Sequence, residues 1–177
     1  IGLSVTAPGR LEDLLKAQQV DVIRTKADTR SLMSSSLDAG VDFAGDDRGG
    51  CIFPSLHPGF DAMFTLAKLI SMLQETGLSL SEITSELPTF ALAYEQVRCP
   101  WEVKGTVMRR ITEEHRDDSR VELVDGIKIY GDDSWVLVLP DAVEPVFHVY
   151  AESPETSASE ALVGDYVKKI EAMQAGS

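Results

Sequence analysis

Trp135-Val-Leu-Val-Leu-Pro-Asp-Ala-Val-Glu-Pro-Val-Phe-His-Val-Tyr-Ala-Glu152 limits the fold more than any other stretch of this chain. It reads as a strand, a tight loop at Leu139-Pro-Asp-Ala-Val-Glu-Pro145, and a second strand. Strands joined this closely pair antiparallel, because a parallel return needs a crossover of roughly a dozen residues or more. Strand-like residues 121–123 and 128–130 flank an Asp125-Gly126 turn, and Gly131-Asp-Asp133 leads into the strand at 134–139. Helical spacing over 102–115 gives an apolar stripe at Val103, Val107, Met108 and Ile111. Ser157-Ala-Ser-Glu160 reads as the cap of a last helix with Leu162, Tyr166, Ile170 and Met173 on one face. The expectation for residues 91–177, with a first strand at 91–97, is a smaller α+β domain: an antiparallel sheet with two helices on one face.

Residues 1–90 follow a different rhythm, in which strand and helix signals alternate. Strands are expected at 1–5, 20–25, 41–44 and 51–53, with helices at 11–18 and 29–37 between them. The strongest helix covers 60–76, with apolar residues at 63, 64, 67, 70 and 73 and a stop at Gly77. Ser79-Leu-Ser-Glu82 is a capping box for a short helix that Pro88 ends. This alternation predicts a layered α/β domain, with the boundary to the second domain near 88–96.

The chain has 177 residues, 44% hydrophobic and 25% charged, and a net charge of −13. That acidity argues against nucleic acid, whose phosphates need clustered Lys and Arg, and against an anionic membrane surface. No apolar run approaches the roughly 18 residues that span a bilayer. Cys51 and Cys99 lie far apart and read as small buried hydrophobes in a reducing cytoplasm. His57, His115 and His148 lack metal-ligand spacing, and His57 reads as part of a Pro-Gly turn. The doublets Asp46-Asp47, Asp117-Asp118 and Asp132-Asp133 lack the alternation that aims several carboxylates at one cation. The opening Ile1-Gly-Leu-Ser-Val, without Met, looks like a piece of a longer polypeptide.

The strand–loop–strand run resembles the phosphate-binding loop of the α-D-phosphohexomutases (phosphomannomutase/phosphoglucomutase family), commonly Trp-x-Leu-x-Arg-Pro-Ser-Gly-Thr-Glu-Pro-x-x-Arg-x-Tyr-x-Glu. Trp135, Leu137, Pro140, Glu144, Pro145, Tyr150 and Glu152 keep its frame. Its phosphate-holding positions are replaced: Arg by Leu139, Ser-Gly-Thr by Asp141-Ala142-Val143, and the second Arg by His148. The resemblance extends upstream. Ala44-Gly-Asp-Asp-Arg-Gly-Gly50 is similar to the family's sugar loop, with Asp46 and Arg48 at its sugar-binding positions and Gly50 where a His is usual. It implies the family's third and fourth domains, with a substrate contact at Asp46, Asp47 and Arg48 that is at most vestigial.

The replacements argue against the ligand. A phosphate loop needs an Arg fork, hydroxyl donors and open backbone N–H groups. Leu139 offers no charge, Ala142 and Val143 add bulk, and Asp141 brings a carboxylate toward the place of a phosphate dianion. One like-charge contact at about 4 Å costs roughly 4 kcal/mol at an effective dielectric near 20. At about 1.4 kcal/mol per decade, that is on the order of a thousandfold in affinity. Hexose phosphate binding is therefore expected to be weak.

The family's phosphoserine and its Asp-x-Asp-x-Asp-Arg Mg²⁺ loop do not occur in these 177 residues. No cofactor is expected here, and Mg²⁺ belongs to the parent protein. Cys99-Pro-Trp-Glu-Val-Lys-Gly-Thr-Val-Met108 is similar to fusion proteins that join a mannose-1-phosphate guanylyltransferase-like nucleotidyltransferase to a divergent phosphomannomutase-like region. Three functions remain: a non-catalytic structural or regulatory module of such a sugar-nucleotide protein, the substrate-binding half of an active mutase, or a pure protein-interaction module. The partners implied are upstream domains of the same polypeptide and a possible second copy in a homo-oligomer.

Overall fold

The computed structural model describes residues 1–38 and 40–176. They fall into two units, Ile1–Thr89 and a second from Phe90 onward.

The first unit is an α/β layer. β1 (Gly2–Ser4), α1 (Gly9–Ala17), β2 (Ile23–Thr25), α2 (Thr29–Ser35) and β3 (Ala44–Gly45) alternate, so β1 pairs in parallel with both β2 and β3. β4 (Cys51–Phe53) and β5 (His57–Phe60) then add antiparallel, giving the order β2-β1-β3-β4-β5. The strand expected at 41–44 is shorter and later, with only Ala44 and Gly45 in register with partners on β1 and β4. β5 corrects the reading of His57-Pro-Gly as a turn. It lies at the sheet edge, where a missing Pro N–H removes no ladder bond. The core gathers Leu32, Val41, Ala44 and Ile52, with Met33 and Phe60 against them.

α3 (Ala62–Thr76) is capped by Asp61, whose carboxylate accepts from Phe64 N at 2.8 Å. It stops at Gly77, whose φ of 68° places it in the left-handed region. α4 (Leu80–Ser85) carries the expected capping box: Ser79 Oγ accepts from Glu82 N, and Glu82 accepts from Ser79 N.

The second unit is an antiparallel sheet in the order β6-β10-β9-β8-β7, from β6 (Ala91–Arg98), β7 (Val121–Glu122), β8 (Ile127–Tyr130), β9 (Trp135–Pro140) and β10 (Val146–Ser153). Alternation sends Ile127, Ile129, Val136, Val138, Phe147, Val149 and Ala151 to one face. There they meet Val107 and Ile111 of α5 (Trp101–Glu114) and Val163, Val167 and Ile170 of α6 (Thr156–Ala175). Each Val, Ile or Phe side chain among them, fully buried, contributes roughly 1.5–3 kcal/mol. α6 does not start on a Ser157 cap. Glu155 precedes it without a side-chain cap bond, while Ser159 is buried inside the helix and donates to Thr156 O. The β7–β8 turn depends on Gly126 (φ 63°), where a Cβ would stand 2.2 Å from Val138 O.

Candidate functional site

In the first unit, β3 runs out into Asp46-Asp47-Arg48. Asp46 Oδ1 accepts from Arg48 N at 3.0 Å and Gly50 N at 2.7 Å, folding the loop on itself. Among the described residues no ion pair joins Asp46 to the Arg48 side chain, which is exposed. Asp47 turns to the segment just after β1, accepting from Thr6 Oγ1 at 2.5 Å, while Thr6 and Ser4 hydroxyls lie 2.7 Å apart. Gly50 has no room for a side chain: a Cβ would stand 2.4 Å from the Phe60 ring and 2.9 Å from Asp46 Oδ2. The three expected residues therefore share one loop, but both carboxylates are engaged within the protein.

The second unit holds the more developed arrangement. Asp141 follows β9, and its carboxylate turns back into its own loop. Oδ1 accepts from Val143 N and Glu144 N, each at 2.7 Å. Oδ2 lies 2.8 Å from His148 Nε2 on β10. The His148 hydrogen bond, followed by the Glu144 and Val143 amides, holds this carboxyl well below the usual carboxylate range. Leu139 pairs directly opposite His148 and is buried, whereas Ala142, Val143 and Glu144 project to solvent, Val143 with 84% of its surface exposed. The bulk expected to crowd the loop interior points outward instead.

Two participants escape the loop's own sequence. Lys104, on the first turn of α5, is only 6% exposed, and its Nζ donates to Asp141 O and to Glu144 O, the latter at 2.7 Å. It also lies 4.3 Å from the centre of the Trp101 ring. Burial pushes its pKa down, against the opposing pull of Asp141 and then Cys99. The available signal was periodicity, since Lys104 falls three and seven residues before the buried Val107 and Ile111. Tyr94 on β6 is the other. It pairs opposite Tyr150, and its hydroxyl reaches diagonally to His148 Nδ1 at 2.8 Å. The retained Trp135 and Glu152 face each other across β9 and β10, with Trp135 Nε1 donating to Glu152 Oε2 at 3.1 Å.

No group of three or more His, Cys, Asp or Glu among the described residues is arranged to hold a metal ion. Among the described residues no helix is long and apolar enough to cross a membrane.

The family model for phosphoglucomutase/phosphomannomutase, alpha/beta/alpha domain III, matches residues 1–90. A protein of Methanopyrus kandleri named "Probable phosphoglucosamine mutase" is 30% identical over 171 residues, 94% of this chain and 37% of its own length. The phosphoglucomutase/phosphomannomutase of Thermococcus kodakarensis is 28% identical over 154 residues, 85% of this chain and 33% of its own length. This chain thus spans only about a third of the length of either relative. The crystal structure of a phosphoglucomutase/phosphomannomutase family protein from Burkholderia thailandensis superposes with a TM-score of 0.81 at 17% identity, covering 99% of this chain and 38% of that one. That likeness carries the fold through the second unit. With its first half matched by the family model, the chain belongs to the phosphoglucomutase/phosphomannomutase family of α-D-phosphohexomutases.

Proposed function

We propose that this chain is a carboxy-terminal module of a larger sugar-nucleotide protein, in which the former phosphate loop is filled by the protein's own carboxylate and serves a structural or regulatory role. The observation that carries this reading is the Asp141 side chain, which accepts from two loop amides and the imidazole at once. Those are the kinds of donor that hold a phosphate oxygen. The mechanism of loss differs from simple repulsion: the anion is already supplied from within. The similarity of the segment from Cys99 to Met108 to nucleotidyltransferase fusions supports a guanylyltransferase-like partner upstream. Asp46, Asp47 and Arg48 keep the sugar loop's position while their carboxylates serve internal bonds. Titration calorimetry of the chain with mannose 1-phosphate and glucose 6-phosphate tests this. No saturable heat below the millimolar range is expected, and micromolar binding at the 139–148 loop overturns it.

A second reading has its own support. A relative 30% identical over 94% of this chain carries a phosphoglucosamine mutase name, which favours the substrate-binding half of an active mutase on hexose phosphates with Mg²⁺ held elsewhere in the parent. The sequence preceding Ile1 discriminates. A phosphoserine loop and an Asp-rich Mg²⁺ loop favour the mutase, and a nucleotidyltransferase sequence favours the first reading.

A further inference from the structure

Asp141, His148 and Tyr94 form one hydrogen-bonded line across the end of the second unit's sheet, with both contacts at 2.8 Å. Its polarity follows from the first member. Asp141 already accepts two backbone N–H groups on Oδ1, so its carboxylate is an acceptor on Oδ2 as well, and His148 must present Nε2–H to it. In the neutral imidazole, Nδ1 is then bare, and the Tyr94 hydroxyl donates to it. This is the order of an acid–imidazole–hydroxyl relay, with a phenol in the place of the alcohol.

The surroundings keep the line in place and its end open. Two amides fix Asp141, Lys104 clamps the loop carbonyls, and Tyr94 packs against Tyr150 with ring centroids 4.8 Å apart. Tyr94 is nevertheless 51% exposed, on the edge strand β6. We propose that Tyr94 is a nucleophilic phenol, set by His148 and Asp141 to accept an acyl group from a neutral activated ester.

In the step, Tyr94 Oη bonds to the ester carbonyl carbon while its proton passes to His148 Nδ1. The bond from that carbon to the leaving alkoxide or phenoxide breaks, and His148 releases the proton to that leaving oxygen. The products are an O-acyl tyrosine and the free alcohol. Charge selects the donor. The ionised Asp141 at the inner end of the line, with Glu144 exposed on the same loop, disfavours a phosphoryl or nucleotidyl donor that carries several negative charges. This inference does not rest on the module reading, since it concerns Tyr94 whether or not a hexose phosphate binds.

The test uses the 177-residue chain with p-nitrophenyl acetate, reading acetylation at Tyr94 by peptide mass spectrometry. A positioned general base contributes about 10²–10⁴-fold, so Tyr94 is expected to react roughly 100-fold faster than free N-acetyltyrosine amide. His148→Gln and Asp141→Asn are each expected to lower the Tyr94 rate at least about tenfold, as loss of the base or its orienting partner requires. A Tyr94 rate equal to the free phenol overturns the proposal on the native protein alone, whatever the variants' folding. Unchanged rates in both variants overturn it as well. p-Nitrophenyl phosphate is the second arm: no label at Tyr94 is expected, and phosphorylation there overturns the choice of a neutral acyl donor.

Discussion

Replacing Lys104 by Met tests whether the loop is clamped from α5. The ammonium donates to two backbone carbonyls, Asp141 O and Glu144 O, from a nearly buried position. Met keeps the length and the packing against Trp101 and removes both donors. Hydrogen bonds to a charged group are worth about 1.5–3 kcal/mol each, so the gross loss is roughly 3–6 kcal/mol. Part of that returns because the ammonium no longer has to be desolvated, and the outward-facing loop admits water to its carbonyls. A net destabilisation of about 2–3 kcal/mol is the expectation, larger than the roughly ±0.5 kcal/mol scatter of surface changes. Both tryptophans, Trp101 and Trp135, lie in the second unit, so their fluorescence in a urea titration reports its unfolding selectively. The midpoint should fall with the slope unchanged. Glu102→Gln, an exposed change on the same helical turn, is the control. A Lys104→Met midpoint indistinguishable from that control would refute the clamp.

Two further outcomes follow from the same geometry. Asp141→Asn keeps an acceptor for the Val143 and Glu144 amides but loses the charge, at a cost of about 1–2 kcal/mol near neutral pH, the difference between charged and neutral acceptors. Because the folded carboxyl titrates below its unfolded value of about 3.9, this stability gap should be complete above that value and close as pH falls through the folded pKa; a gap constant down to acid unfolding contradicts the assignment. Gly126→Ala forces a left-handed residue and a Cβ against Val138 O, so the second unit should lose at least about 2 kcal/mol by the same fluorescence titration, and a loss under about 0.5 kcal/mol would show that the turn relaxes freely.

The layer order of both units was legible because it rests on periodicity. Alternation along β8, β9 and β10 separates core-facing from outward residues, and the Ser79 capping box and Gly77 stop are local chemistry that needs no tertiary partner. β5 was not legible, since Pro58-Gly59 signals a turn unless the strand is known to be an edge. The start of α6 differs from the expectation because Ser157 and Glu160 satisfy a capping pattern that the chain overrides by beginning at Thr156. At the site, the sequence led to the expectation of a lost cationic pocket, but not to the hydrogen bonds that hold the loop. Asp141 reads as a repulsive charge until its side chain is seen accepting from residues two, three and seven positions on. Lys104 and Tyr94 come from elements 37 and 54 residues distant from their partners, Asp141 and His148, a separation that only the folded sheet closes.

An anion tethered at residue 141 competes with every anion in solution, and its tether does not dilute. Linked ligands behave as if present at millimolar concentration or more even on flexible linkers. A carboxylate one side chain away from its donors, held by three of them, is far better placed than that. On the same reading, an inorganic phosphate or sugar phosphate that used these donors would first have to displace the Asp141 carboxylate. On the module reading proposed above, the loop carries its own ligand, and its shape should not respond to metabolite levels.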